Sequence, residues 1–202
     1  MAIKFQYNKT ALQELNRQLR IRKKALPTLK NKEAALRIEV KRARDEATAR
    51  ETALARRMAH YEVMVRLWEE FDPSLVQVEK VEMTSRKIAG VHIPVLSQIN
   101  FKLAPFSLFN NPHWYAEGVA ILKELALIAI EKKFYLRTMQ LLDRARKKTT
   151  QKVNLYEKVQ IPGYETAILK IKRFLEDEDN LAKSAQKIVK NRLSAEANDN
   201  AV

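Results

Sequence analysis

The sequence predicts a mainly α protein: a long antiparallel two-helix coiled coil with a short β-hairpin-containing excursion at the turn end. Three observations carry that reading. An apolar seam with a period of about 3.5 residues runs through the first third of the chain. Only three glycines and six prolines occur in 202 residues dominated by Ala, Leu, Lys, Arg and Glu, the composition of long helices. A second long helical pattern follows a short β-favouring stretch.

The seam steps alternately three and four residues, through Leu12, Leu15, Leu19, Arg22, Leu26, Leu29, Glu33, Leu36, Val40, Ala43, Ala47, Arg50, Leu54, Arg57, Tyr61, Met64, Trp68 and Phe71. All but Arg22, Glu33, Arg50 and Arg57 are apolar, so one narrow stripe must be buried against another helix. About sixty helical residues would extend about 90 Å, longer than a compact domain of this size is wide. The pattern predicts a rod.

Thr10 followed by Gln13 reads as a capping box, which places the first long shaft helix over residues 10–71. Asp72-Pro73-Ser74 stops it. Inside it, Pro27 removes a backbone donor and is expected to kink or locally break the helix. Residues 72–111 differ in texture. Val76, Val78 and Val81 and the run Val91–Leu96 flank Ala89-Gly90, which predicts a short, irregular hairpin followed by a loop to Asn111. Pro94 and Pro105 restrict any strand to an edge or a short piece. The second long shaft helix is placed over 112–193, with Asn111 as N-cap and Pro112 at the first helical position. Its apolar positions resume beyond Pro162-Gly163 at Ile168, Ile171, Leu175 and Val189, and residues 194–202 are expected to form a frayed tail.

If residue 71 faces about residue 115, facing residue numbers add up to about 186, good to about one helical turn. Three juxtapositions follow. Arg37, Lys41, Arg42 and Arg44 fall level with Arg144, Arg146, Lys147, Lys148 and Lys152, a candidate basic collar or simply two solvated basic faces. Pro27 lies close in height to Pro162 and Gly163, a candidate shaft bend. The second helix has no partner beyond about residue 176, so Leu181, Ile188, Val189 and Leu193 form a candidate bearing tip that must enter a cavity elsewhere unless the helix folds back.

The chemistry of an enzyme is not legible. Without cysteine, disulfides and thiolate zinc sites are excluded, and His60, His92 and His113 lack partners at ligand spacing. Glycines at 90, 118 and 163 alone allow no phosphate-cradling loop, and neither a His-Glu-x-x-His motif nor a nucleophile elbow occurs. Glu176-Asp177-Glu178-Asp179 reads as a solubilising face, and Trp114 and Tyr115 suit packing better than base stacking. No catalytic residue, metal or cofactor is expected. The opening MAIKFQYNKT lacks a secretory apolar core. The run from Val119 to Ile130 is interrupted by Lys123 and Glu124 and is too short to span a bilayer. The net charge of +14 fits nucleic acid, anionic lipid or an acidic protein socket, and does not choose among them.

The stretch Lys148 to Pro162, with Thr149, Thr150, Val153, Asn154, Glu157, Ile161 and Pro162, resembles the signature of the D subunit of V-type ATPases. Thr10-Ala11-Leu12, Leu29-Lys30-Asn31-Lys32 with Leu36, and Gly90-Val91-His92-Ile93-Pro94 are similar to that family's opening and mid-chain patterns, in the same order. Leu155-Tyr156 stands in place of the usual Ala-Leu, and Gly163 in place of a common basic residue. The resemblance implies a central rotor stalk at one copy per complex, non-catalytic and without a cofactor. It implies that the paired termini enter a hexamer of alternating catalytic A and B subunits, with the excursion at the membrane-ward end. The implied partners are that hexamer, a small F subunit on the side of the shaft, and a funnel-shaped C (or d) subunit linking to the proteolipid ring. Neither nucleic acid nor direct membrane insertion is implied, and the location is peripheral, on the cytoplasmic side. A basic coiled coil that binds nucleic acid or the ribosome is the alternative. It predicts salt-sensitive binding and leaves the matched kinks and unpaired helix unexplained. A membrane-tethering coiled coil fits the charge but not the collar. The gamma subunit of an F-type synthase shares the architecture but not the signature.

Overall fold

The structure, a computed structural model, describes residues 4–62, 65–105 and 112–199. In chain order it contains α1 (Lys9–Tyr61), a short turn of helix α2 (Val65–Trp68), strands β1 (Val76–Ile88) and β2 (Val91–Leu103), α3 (Tyr115–Asn154), a π-helical segment Leu155–Gln160, and α4 (Ile161–Asp199). The mainly α class with a β-hairpin excursion is as expected. The chain divides into two compact units: residues up to Lys30 with those from Thr150 onward, and Asn31–Thr149.

Several boundaries differ from the sequence reading. The N-cap of α1 is Asn8, whose Oδ1 accepts from the Ala11 N–H at 2.6 Å, rather than Thr10. The first long helix ends at Tyr61, ten residues short of Phe71, and Met64 lies outside the described residues. Helix α1 runs through Pro27 without interruption, so the expected break is not there. Helix α3 starts at Tyr115, whose N–H bonds the Pro112 carbonyl, while the proposed cap Asn111 lies outside the described residues. Helix α4 continues to Asp199, past the expected start of a frayed tail.

In the first unit, Leu15 of α1 packs with Ala167, Ile168 and Ile171 of α4, and Leu12, Leu19, Tyr164 and Leu175 close around them. The segment before α1 adds Phe5 to this cluster, and the Tyr7 ring lies 4.9 Å from that of Phe174. Across the pair, Lys23 meets Glu165 at 2.6 Å and Lys30 meets Glu157 at 2.7 Å.

In the second unit, Arg50 meets Glu131 at 2.8 Å and Arg57 meets Glu124 at 2.9 Å, so α1 and α3 are antiparallel there too. These ion-paired partners in both units lie within about five residues of the expected register. The polar seam positions Arg50 and Arg57 are thus paired with carboxylates across the helices, although the buried Arg50 Nε makes no hydrogen bond of good geometry.

The excursion is far more extensive than a short irregular hairpin. Two strands of 13 residues pair antiparallel from Val76↔Leu103 to Ile88↔Val91, with one extra residue at Glu79 and another at Ser97. Both strands of a two-stranded sheet are edges, so Pro94 is tolerated inside β2 opposite Ser85. The turn residues Ala89 and Gly90 both have positive φ (47° and 81°), as a type I′ hairpin requires.

The hairpin begins at the turn end and then folds back along the helices. Its base, Val76 and Ala104, packs with Phe71, Leu75, Tyr115 and Val119. Its tip, Ile88 to Ile93, packs on Leu36 and Val40 of α1 and Leu142 of α3. At the base, Asp72 caps the turn Pro73–Leu75 through the Ser74 N–H, and the Tyr115 hydroxyl donates to the Glu70 carbonyl at 2.6 Å.

Gly118 sits where the aromatic rings of the base close in. A Cβ there would come within 2.8 Å of the Trp114 ring and 3.0 Å of the Phe71 ring, both held by further ring contacts to Trp68 and Tyr115. Gly118→Ala gains about 1 kcal/mol of helix propensity but forces those rings apart, which costs about 1–3 kcal/mol. A net loss of stability is expected in denaturant titration. Ala89→Asn puts at this positive φ a residue that tolerates it better, and is expected to raise stability by up to about 1 kcal/mol in the same assay.

Candidate interaction surfaces

Burial against α1 ends at Leu175, and from Glu176 through Ser194 every residue of α4 is exposed. Within that stretch Leu181, Ile188, Val189 and Leu193 are 73%, 54%, 56% and 60% exposed. Their spacing of seven, eight and twelve residues puts them on one side of the helix. Lys183, Lys187 and Lys190, at steps of four and three, occupy the opposite side. The side carrying the leucines continues the stripe that buries Ile171 and Leu175. The exposed stretch begins one residue after the last of these contacts, at Glu176. Glu176, Asp177, Glu178 and Asp179 stand exposed at its beginning.

The candidate collar is assembled in part. Leu36 and Val40 pack with Leu142, Met139 and Ala145, so Arg37, Lys41, Arg42 and Arg44 are level with Arg144, Arg146, Lys147 and Lys148. All are exposed except the half-buried Arg146. Some of this charge is answered locally: Arg37 by Glu33 at 2.9 Å, and Arg146 and Lys147 by Asp143 at 2.8 and 3.1 Å. Lys152 belongs to the other unit, where its ammonium lies 5.9 Å from the Tyr156 ring.

Sequence reasoning missed what the folded-back hairpin adds at the same level. Arg86 of β1 joins Arg42, Glu39, Glu46 and Glu131 around a groove of about 330 Å³, floored by Ile93, Leu142 and Tyr135. The signal was the length of alternating sequence after Val76 together with Ala89-Gly90. Thirteen extended residues reach about 43 Å, the span of nearly thirty helical residues.

At the level of the candidate bend the structure places a wide helical turn. Across from Pro27, bracketed by the Lys30–Glu157 pair and a 2.7 Å hydrogen bond from Arg22 Nε to Gln160 Oε1, lies the π turn Leu155–Gln160. Its last hydrogen bond runs from the Ile161 N–H to the Tyr156 carbonyl, one residue further than in an α-helix. The next residue, Pro162, has no N–H to give, and Gly163 is half-buried.

The signature residues are largely structural in character. Thr149 is buried and its hydroxyl donates to the Ala145 carbonyl at 2.9 Å, Val153 is buried, and Glu157 pairs with Lys30. Thr150 and Ile161 are half-buried, while Asn154 and Pro162 are exposed. Among the described residues, no group of three or more His, Asp or Glu is placed to hold a metal ion, and no helix is long and apolar enough to cross a membrane.

The family model for the ATP synthase D subunit matches residues 11–191. The V-type ATP synthase D subunit of Borreliella burgdorferi is 31% identical over 192 residues, covering 94% of this chain and 95% of that protein. The proteins of the same name from Chlamydia caviae and Chlamydia muridarum are 31% and 32% identical over 157 residues, covering 75% of this chain and 76% and 77% of theirs.

The Asp143 carboxyl is held below its ordinary range, first by the hydrogen bond from Arg146 and then by Lys147. A depressed folded value means stability that is present above the unfolded value and lost as pH falls through the folded one. Asp143→Asn is expected to cost about 0.5 kcal/mol at neutral pH, a difference that vanishes in strong acid. Unfolding free energies of both proteins from pH 7 to pH 2 check this.

Proposed function

The chain belongs to the ATP synthase D-subunit family and is a non-catalytic stalk subunit of a V-type rotary ATPase, and from that premise we propose that it carries rotation between a catalytic A/B hexamer and the membrane ring. ATP hydrolysis or synthesis in the hexamer is thereby coupled to transport of protons or sodium ions.

One observation carries the reading. The apolar stripe of α4 that α1 covers as far as Leu175 continues uncovered to Leu193. Burying each of those four large side chains is worth about 1.5–3 kcal/mol, and within the described residues nothing from this chain covers them. The helix is suited to enter the axial cavity of the hexamer as a bearing tip. A smooth apolar contact suits a bearing, because the hydrophobic effect is not directional and sets no fixed angle.

The exposed cations at Arg37, Lys41, Arg42, Arg44, Arg144, Lys147 and Lys148 would face acidic residues of the hexamer. Exposed ion pairs are individually weak, about 0–1 kcal/mol, so they guide the turning subunit without locking it. The level of Pro27, Pro162 and Gly163 would bend the stalk and present a different face to each of three catalytic sites. Differential contact with distinct hexamer states then links rotation to turnover. The hairpin end would point toward the funnel-shaped C (or d) subunit and the proteolipid ring. The small F subunit would take a place on the side, with one copy of this chain per complex, peripheral on the cytoplasmic face.

The test is to tag the chain in its own cell, purify gently with nuclease present, and compare it with a variant carrying Leu181→Ser, Ile188→Ser, Val189→Ser and Leu193→Ser. The native chain is expected to bring down two nucleotide-binding subunits in threefold excess over itself, with ATPase activity. The variant, altered only at exposed positions, should keep its thermal stability and lose most of that recovery. Equal recovery by both would overturn the tip assignment. Recovery of a nuclease-sensitive assembly would overturn the whole reading.

A further inference from the structure

Arg22 occupies a seam position, yet it is held by four residues at once. Its Nε donates to Gln160 Oε1 at 2.7 Å, and one terminal nitrogen reaches both the carbonyl and the side-chain oxygen of Gln18, at 3.1 and 2.6 Å. The guanidinium lies 4.6 Å from the Tyr164 ring centre and 5.9 Å from that of Tyr156. A planar cation near two rings with an amide acceptor is an arrangement that suits guanidinium better than ammonium.

Tyr156, Gln160 and Tyr164 are spaced by four residues, and Ile168 continues the series into the cluster around Leu15. Three successive steps of four outrun an α-helix of about 3.6 residues per turn, so in an unbroken α-helix the series would drift by about 40° per step. The π turn Leu155–Gln160 accommodates one extra residue and cancels the drift. Upstream, Val153 is buried; downstream, Ala167, Ile168 and Ile171 are buried against Leu15. Arg22 meets the helix between these two buried sets, at the wide turn itself.

We propose that Arg22 is a positioning residue that pins the extra residue at Leu155–Gln160 and so fixes the rotational phase of everything in α4 beyond it. Expelling one residue from the turn would rotate the downstream helix by about 100° and advance it by about 1.5 Å. The face bearing Leu181, Ile188, Val189 and Leu193 would then be presented about a quarter-turn away from its native aim relative to α1. Coupling through that face rests on the function proposed above; the pinning itself does not.

The structural test is the crystal structure of the full chain carrying Arg22→Met, beside Gln160→Glu, which keeps the shape of the acceptor and strengthens it for a cation. Arg22→Met is expected to lose or displace the wide turn, moving the Ile161 N–H from the Tyr156 carbonyl to that of Glu157. Gln160→Glu is expected to retain it. A wide turn unchanged in Arg22→Met overturns the proposal. The functional test uses the assembled complex in vesicles. Arg22→Met should lower ions transported per ATP hydrolysed several-fold, with assembly intact and Gln160→Glu near wild type. A lost wide turn with unaltered coupling would overturn the phase-setting role while leaving the pinning standing.

Discussion

A pair of helices has no interior. Each seam residue is covered by one neighbour and remains open at its flanks, so deep burial requires a third segment laid over the pair. The largest fully buried side chains, Leu36, Leu142 and Ile171, sit where such a segment arrives. The hairpin tip covers Leu36 and Leu142, and the stretch around Phe5 closes the cluster containing Ile171. Larger seam side chains away from these levels stay half-buried, as at Leu26, Leu29 and Leu54. The stability of each unit therefore leans on a few levels of triple cover rather than on the length of the helices.

The same constraint explains the polar residues in the seam. A position covered on one side only is wet enough to hold a charge, and Arg50 and Arg57 reach Glu131 and Glu124 at the edge of the pair. Exposed pairs of this kind add little energy. Their use is to make slipped registers worse, because a shift by one turn would leave arginine opposite apolar side chains. Arg22 goes further, since rings and an amide replace the carboxylate and its cation is matched to one level of the partner helix.

Where cover stops, the proposed contact begins. Helix α4 outlasts α1, so its apolar side chains stand in solvent, with lysines on the opposite side of the helix. A helix of that kind is an invitation to a partner, and in a stalk subunit the partner must permit turning. The cations around Leu36 and Leu142 have a different character. They surround the best-buried level of their unit, so a rigid base carries the charge that neighbours would feel.

Much of this was legible in the sequence. The 3.5-residue spacing of leucines, the halt at Asp72-Pro73 and the excess length of the second helix are local facts, set by neighbours three and four residues apart. They determined the helical class, and they are what the expectation of an uncovered stretch from about residue 176 rests on. The signature between Thr149 and Pro162 gave the family. Only the tertiary structure decided that the hairpin is two full strands folded back onto Leu36 and Leu142, because the contact of Ile93 with residues some fifty positions away on either side leaves no mark on local periodicity. It also decided how the chain resolves the four-residue steps from Tyr156 to Ile168. The sequence poses that mismatch with helical geometry, but whether it is relieved by unwinding the pair or by one wide turn depends on what α1 offers opposite, and α1 offers Arg22.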